Sequence, residues 1–241
     1  MSLDGKNILI TGAGVRVGRS LALAVARAGA NVIIHFGKSQ TEAAQTAQEI
    51  RSMGSQAMSL QADLSDPSQV STLIERSQPF GPLYALINNA SVFDSLDWQT
   101  TRLEDWNRIL MINLTAPFLL SQTFARQNSP GQNGRIINML DWRALRPGAD
   151  HLPYTISKVA LAGLTRSLAQ ALAPDIQVNG VALGAVLAPA NGGDISAVVR
   201  DVPARRWADL SEVDQTVLFL LTGPAYITGE IIHLDGGKHL V

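Results

Sequence analysis

Seven short apolar runs, interleaved with longer amphipathic stretches, constrain this chain more than any other feature. The runs are NILIT (7–11), NVIIHF (31–36), AMSLQA (57–62), LYALIN (83–88), RIINML (135–140), IQVNGVA (176–182) and EIIHLD (230–235). Several are apolar at almost every position, the pattern of strands covered on both faces of a parallel sheet. GRSLALAVARAG (18–29) and SQTEAAQTAQEIRSMG (39–54) carry apolar residues at helical spacing and stop at Gly29 and Gly54, a common way to end a helix. SDPSQVSTLIERSQ (65–78) opens with Ser65 or Asp66 as N-cap and Pro67 in the first turn. Further helices are predicted over 104–127, 153–172 and 211–222. Strand–helix alternation along the whole chain reads as βαβ units, hence an α/β, doubly wound Rossmann-type domain over 1–241.

One stretch breaks the rhythm. GAVLAPANGGDISAVVRDVPARRW (184–207) has adjacent glycines, two prolines and only a short helical patch. After a strand's carboxyl end, a long insertion is expected to be a lid over the ligand crevice rather than a plain surface loop. Bulk properties narrow the function. With 46% hydrophobic residues, 16% charged residues and a net charge of −1, the 241-residue chain can bury a large core. Such a balance gives no electrostatic reason to expect nucleic acid or an anionic membrane, and no run approaches a membrane span. The opening MSLDGKNILI lacks a signal peptide's basic start and cleavage site, so a cytoplasmic protein is expected. There is no cysteine, which removes disulfides, thiolate metal sites and thiol catalysis, and no metal site is expected.

The first turn carries the first chemistry. ILITGAGVRVGRSLALAV is strand, glycine-rich turn, helix, with Gly12, Gly14 and Gly18 spaced G-x-G-x-x-x-G around Arg16 and Val17. Glycines let backbone N–H groups approach a pyrophosphate, and the helix N-terminus adds its positive end. Placed on the first strand of a βαβ chain, the trio points to dinucleotide binding. Arg16 is either an anion-binding guanidinium or an exposed residue at the helix start. NAD binders usually place an acidic residue after the second strand, but none occurs from Val32 to Thr41. His35, Phe36, Lys38 and Ser39 stand there instead, a set with donors for a 2′-phosphate, so NADPH is the expected cofactor. After the third strand, Asp63 and Leu64 begin a segment in which Asp63 either accepts from an adenine amino group or caps a helix. Asn88 and Asn89 end the fourth strand, where they must bond another strand or a cofactor ribose.

Tyr154 and Lys158 lie four residues apart, on one face of the helix predicted over 153–172. A neighbouring ammonium lowers a tyrosine pKa and makes the phenol usable in proton transfer. Thr11-Gly12, Asn88-Asn89-Ala90, Asn113, Tyr154-x-x-x-Lys158 and the ending YITGEIIHLDGG together resemble the short-chain dehydrogenase/reductase family. The resemblance spans essentially the whole chain. It implies a seven-stranded parallel sheet, usually in a homotetramer. It also implies that Asn113 supports a water linked to Lys158, and that Thr228 and Gly229 lie near the substrate and cofactor.

Most of that family carries a serine thirteen residues before the tyrosine, and here that position is Asp141. An ionised carboxylate has no proton to donate and would repel the oxyanion formed from a ketone. Reduction of a C=N bond has the opposite requirement, because cationic character develops and a carboxylate stabilises it. The sequence resembles the pteridine reductase branch, which has the same substitution. It shares Arg16 within T-G-x-x-x-R-x-G, HFGKS after the second strand, NNASVF after the fourth, and the set Asp141, Tyr154 and Lys158. This implies a small-molecule pterin between the nicotinamide and Phe93, contacted by Ser91, Arg16, Asp141 and Tyr154, with Asn89, Ala90 and Gly184 on the cofactor. The chain departs from its relatives at Leu183, where a proline usually precedes the glycine. Reduction of another imine or carbonyl, or a non-catalytic NADP-binding sensor, stays open; a sensor would need only the cofactor half of these residues.

Overall fold

In the computed structural model, which describes residues 2–128, 131–187 and 195–241, all seven runs enter one sheet whose pairs are all parallel. The strands are β1 (Asn7–Ile10), β2 (Asn31–Phe36), β3 (Ala57–Gln61), β4 (Leu83–Asn88), β5 (Gly134–Asp141), β6 (Ile176–Leu183) and β7 (Ile231–Leu234). Their order is β3-β2-β1-β4-β5-β6-β7. Strand order reverses between β1 and β4, and the chain leaves these neighbours toward opposite sides, opening a crevice at their carboxyl ends.

Residues two apart along each strand share a face. Ile8, Ile10 and Ile34 pack under α1 (Arg16–Arg27), α2 (Gln40–Ser52) and α8 (Leu210–Thr222), while Leu9, Ile33 and Ile136 pack under α3 (Pro67–Leu73), α5 (Ala116–Gln127) and α6 (Leu152–Leu172). Nearly all these strand residues are wholly inaccessible. Each buried Ile or Leu contributes about 1.5–3 kcal/mol through the hydrophobic effect. That double coverage explains why the strands read as continuous apolar runs.

Two predicted helices are more broken than expected. The 104–127 stretch forms α4 (Leu103–Leu110), a π-helical turn over Met111–Thr115, and then α5. Pro117 lacks an N–H and its ring would crowd the carbonyl of Asn113 in a regular helix; a widened turn relieves this. The turn also carries the fully buried Asn113 side chain to the loop after β4, where it accepts from Val92 N at 2.9 Å and donates to Val92 O at 3.0 Å. The 65–78 stretch becomes α3 followed by a 3-10 turn, Glu75–Phe80, and its N-cap is Asp66, which accepts from Ser68 N at 2.9 Å.

A buried polar ladder crosses the middle of the sheet. Asn88 Nδ2 donates to Asn138 Oδ1 at 2.8 Å, and Asn138 Nδ2 donates to Thr165 Oγ1 on α6 at 2.9 Å. Of the two open roles for Asn88, strand-to-strand bonding is the one observed. In the expected lid, residues 188–194 lie outside the described residues; the rest includes a short helix, α7 (Ile195–Arg200). Among the described residues no helix is long and apolar enough to cross a membrane.

Because Asn138 is fully buried and serves both neighbours, Asn138→Ala removes one hydrogen bond from each of two buried polar groups. We expect a loss of about 2 kcal/mol. Urea unfolding would show it as a lower midpoint with an unchanged slope.

Candidate active site

The first glycine turn is built to stay bare. Gly12 has φ of +64°, and a Cβ there would meet Ala90 Cα at 3.0 Å. A Cβ on Gly18 would lie 2.2 Å from Gly12 O, and one on Gly14 would lie 2.8 Å from Ser39 Oγ. So the turn, the end of β4 and the start of α2 are in mutual contact. Thr11 ties them together: its Oγ1 accepts from Asn89 N and Ala90 N, both at 2.9 Å, and Asn89 Nδ2 donates back to Thr11 O at 2.8 Å. Arg16 opens α1 in a left-handed conformation with φ of 52°. It is exposed and makes no hydrogen bond or ion pair among the described residues. Lys38 is exposed and Ser39 half-buried beside Gly14, leaving both near the turn.

Next to this turn lies a cleft of about 390 Å³, bounded by Gly12–Gly18 on one side, Asn89, Ala90, Ser91 and Phe93 on the other, and Tyr154 and Lys158 beyond. A second cavity, of about 540 Å³, shares Arg16, Phe93 and Tyr154 with it and continues past Asp141 to Val198, Val202 and Trp207. Residues 184–187 also line this second cavity.

Asp141 is the last residue of β5, opposite Leu183 at the end of β6. Pro153 sits in the first turn of α6 and favours its start, which directs Tyr154 back at the strand end. Tyr154 Oη donates to Asp141 Oδ2 at 2.9 Å. The other carboxylate oxygen accepts from Arg143 N at 2.8 Å and lies 3.7 Å from Arg143 Nη1. Arg143 Nη2 continues to Asp150 at 2.8 Å. Lys158, one turn along α6, is buried and donates from Nζ to Met139 O at 2.8 Å. Ser157 beside it accepts from Asn113 Nδ2 at 3.1 Å, so Asn113 braces this turn of α6 against the loop at Val92.

Burial pushes the Tyr154 phenol well above the ordinary tyrosine range, and the Asp141 charge and hydrogen bond add to the effect. The sequence expectation of a phenol lowered by Lys158 is corrected here: Asp141, not lysine, touches the hydroxyl. Burial lowers Lys158 to about 8, against a smaller opposing pull from Asp141. Phe93 stands at the cleft mouth, half exposed. Its ring stacks on His151 at 3.9 Å between centroids and meets Tyr154 edge-on at 4.5 Å.

Several expected cofactor contacts take other roles. His35 is 2% exposed and has both ring nitrogens engaged, Nδ1 with Gly12 N at 3.1 Å and Nε2 with Ala62 O at 3.0 Å. It supports the turn from beneath and offers no donor to a phosphate. Phe36 and Leu64 bury their side chains in the core. Asp63 neither caps α3 nor lies buried; it accepts from Ser65 N and Oγ, which hold its carboxyl below the usual range. Gly184 borders the second cavity, and a Cβ on it would meet Asp235 Cα at 2.6 Å. Thr228 and Gly229 lie away from the site, bonded to Val178 N and O at the opposite ends of β6 and β7. The sequence reading missed Arg143, His151 and Lys238 on the second cavity, whereas Trp207 ends the 184–207 stretch; Trp142 and Arg143 stood next to Asp141, the one local signal available.

Residues 6–197 match the short chain dehydrogenase family. The chain belongs to that family. It is 30% identical to a 3-oxoacyl-[acyl-carrier-protein] reductase of Synechocystis sp., with 98% of each chain covered. It is 33% identical to a short-chain type dehydrogenase/reductase of Picea abies, covering 98% of this chain and 93% of the relative. Among solved structures, FolM alternative dihydrofolate reductase 1 from Brucella canis, complexed with NADP, superposes with a TM-score of 0.93 at 33% identity, covering 100% of this chain and 97% of that one. A short chain dehydrogenase from Burkholderia cenocepacia in complex with NADP gives the same score and identity over 99% of both.

Burial lowers His35 to about 4. An unfolded histidine titrates near 6.5, so between these values the unfolded chain binds the proton and the folded chain does not. Stability present above pH 6.5 is therefore lost as pH falls toward 4, by roughly 3 kcal/mol in all. Melting temperatures measured across this range should fall more steeply for the native chain than for His35→Asn; parallel curves would exclude the histidine as the cause.

Proposed function

We propose that this protein is an NADPH-dependent reductase of pterins, reducing a ring C=N bond of a dihydropterin or dihydrofolate. The hydrogen bond from Tyr154 Oη to Asp141, at the position where the family usually has serine, carries the reading. It is supported by the likeness to the Brucella FolM structure. The residues present fit the cofactor: Gly12, Gly14 and Gly18 leave no room for side chains, and Arg16, Lys38 and Ser39 stand near the same turn with charge and donors for phosphates. Asn89, Ala90, Ser91, Val17, Gly184 and Lys158 would line the remainder of its path.

NADPH would supply the hydride. The chain's own work is to place the flat substrate against Phe93 and to deliver a proton. Phe93, with Ser91 beside it, offers an aromatic face at the mouth of the cleft. Tyr154 keeps its proton at neutral pH and is oriented by Asp141. As the ring carbon takes the hydride, the adjacent nitrogen takes a proton from Tyr154 or from water organised by Asp141. Carboxylate charge at that point stabilises the iminium-like transition state. An oxyanion developing on a ketone would meet the same charge as repulsion. Lys158 and Asn113 fix the α6 face from below. We also propose assembly as a homotetramer, supported by exposed Phe118 on α5 and Ile156 and Val159 on α6; light scattering should return four copies per particle, and a monomer would exclude it.

NADPH oxidation with dihydrobiopterin, dihydrofolate and a ketone panel tests the function. Turnover of pterins at least about a hundredfold above ketones is expected, and turnover of ketones alone, as the 3-oxoacyl relatives would suggest, overturns the reading. Asp141→Ser should lower kcat/KM for pterins by about 10²-fold, the scale of one preorganised electrostatic group. Unchanged pterin turnover in that variant removes the role given to the carboxylate.

A further inference from the structure

The second cavity is larger than a bicyclic ring requires, and part of its wall comes from the segment after β7. Lys238 follows β7 and lines this cavity together with Asp141, Arg143 and Trp142. Its backbone is held in place. Buried Asp235 accepts from Gly237 N and His239 N, both at 2.9 Å, and Gly236 O accepts from Ala204 N at 3.0 Å, joining this turn to the end of the lid region. Trp142 guides the side chain: Lys238 Nζ lies 5.6 Å from the indole centroid, while the Arg143 guanidinium lies 4.8 Å from the same ring.

The two cations differ in what satisfies them. Arg143 has Asp150 at 2.8 Å and Asp141 at 3.7 Å. Lys238 has no hydrogen bond from its ammonium and no carboxylate partner among the described residues, only the aromatic ring. An ammonium that is partly withdrawn from water and paired with a ring alone favours the arrival of an anion. Asp141 is the one described carboxylate on the cavity wall, and it is engaged with Tyr154 and Arg143. Among the described residues three cations, Arg16, Arg143 and Lys238, line the cavity with this one carboxylate, and Lys238 is the one held on Trp142 without an ion pair.

We propose that Lys238 determines specificity by binding a carboxylate on the substituent of the substrate, at the end remote from the reducible ring. This rests on the pterin reading and narrows it to acidic pterins, those with a carboxylate-ended tail, over pterins with a short neutral side chain. Lys238 touches neither the reacting atoms nor the cofactor turn, so it acts on substrate binding and not on the chemical step.

The test compares kcat and KM for dihydrofolate, whose tail ends in carboxylates, with those for dihydrobiopterin, whose side chain is neutral, using the full chain. The native protein should prefer dihydrofolate. Lys238→Met keeps the apolar stem and should raise KM for dihydrofolate about tenfold, the size of one charge-assisted hydrogen bond. Its kcat, and both constants for dihydrobiopterin, should stay within about twofold, as expected when only uniform binding is removed. Lys238→Arg should restore the preference and Lys238→Glu should deepen the defect. A substrate ratio unchanged in Lys238→Met, an equal loss for both substrates, or a defect that Lys238→Arg does not repair overturns the proposal while leaving pterin reduction standing. A native protein that reduces neither pterin overturns both.

Discussion

Everything in the site hangs on the lock between β1 and β4. The parallel sheet brings all strand carboxyl ends to one edge, but the two middle strands send their chains toward opposite faces, and the crevice between them has to be held at a fixed width. Thr11 does this with one hydroxyl that accepts two successive backbone N–H groups, from Asn89 and Ala90, while the Asn89 amide closes the loop back to Thr11 O. On one side the lock fixes the glycine turn; on the other it fixes the segment that carries Ser91 and Phe93. His35 supports the same turn from within the sheet. A side chain at Gly12 or Gly18 would push directly against this lock.

The groups at the cleft show how a fold tolerates costly residues. Lys158 is buried with its ammonium on the Met139 carbonyl, and burial shifts its pKa down to about 8. Burial of an ammonium with so little compensation opposes folding at neutral pH. Tyr154 is held in its protonated form by burial and by Asp141. Two groups pushed in opposed directions, both toward their neutral forms and in contact with one cleft, mark the place where stability has been traded for chemistry.

How much of this was legible in the sequence differs by level. The strands were readable because both faces of a parallel sheet are covered, so their apolar character is continuous; their order was not, since alternation does not say where the sheet reverses. The break at Asn113 was not readable, since Pro117 is also compatible with the first turn of a new helix and the widened turn depends on the loop at Val92. Tyr154 and Lys158 were readable as one helix face from their spacing, whereas Asp141 came only from the family resemblance, because its contact with Tyr154 depends on where α6 starts relative to the end of β5. His35 was misread for a reason of parity. Strand-end position suggests solvent, but a residue two on from Ile33 points to the same inner face. Lys238 and Arg143 could not be assigned to one cavity beforehand. They are separated by most of two βαβ units and meet only because β7 returns beside β6.

Arg16 has a consequence that reaches past the ligand. Its φ of 52° is the conformation that glycine adopts freely and that costs other residues about 1–2 kcal/mol. Glycine is the residue that this backbone geometry suits. Here the chain keeps the geometry and replaces the residue that suits it, with no described partner repaying the strain. Folding and charge therefore pull against each other at one residue: glycine would relax this backbone but would take the guanidinium away from the mouth of the cleft.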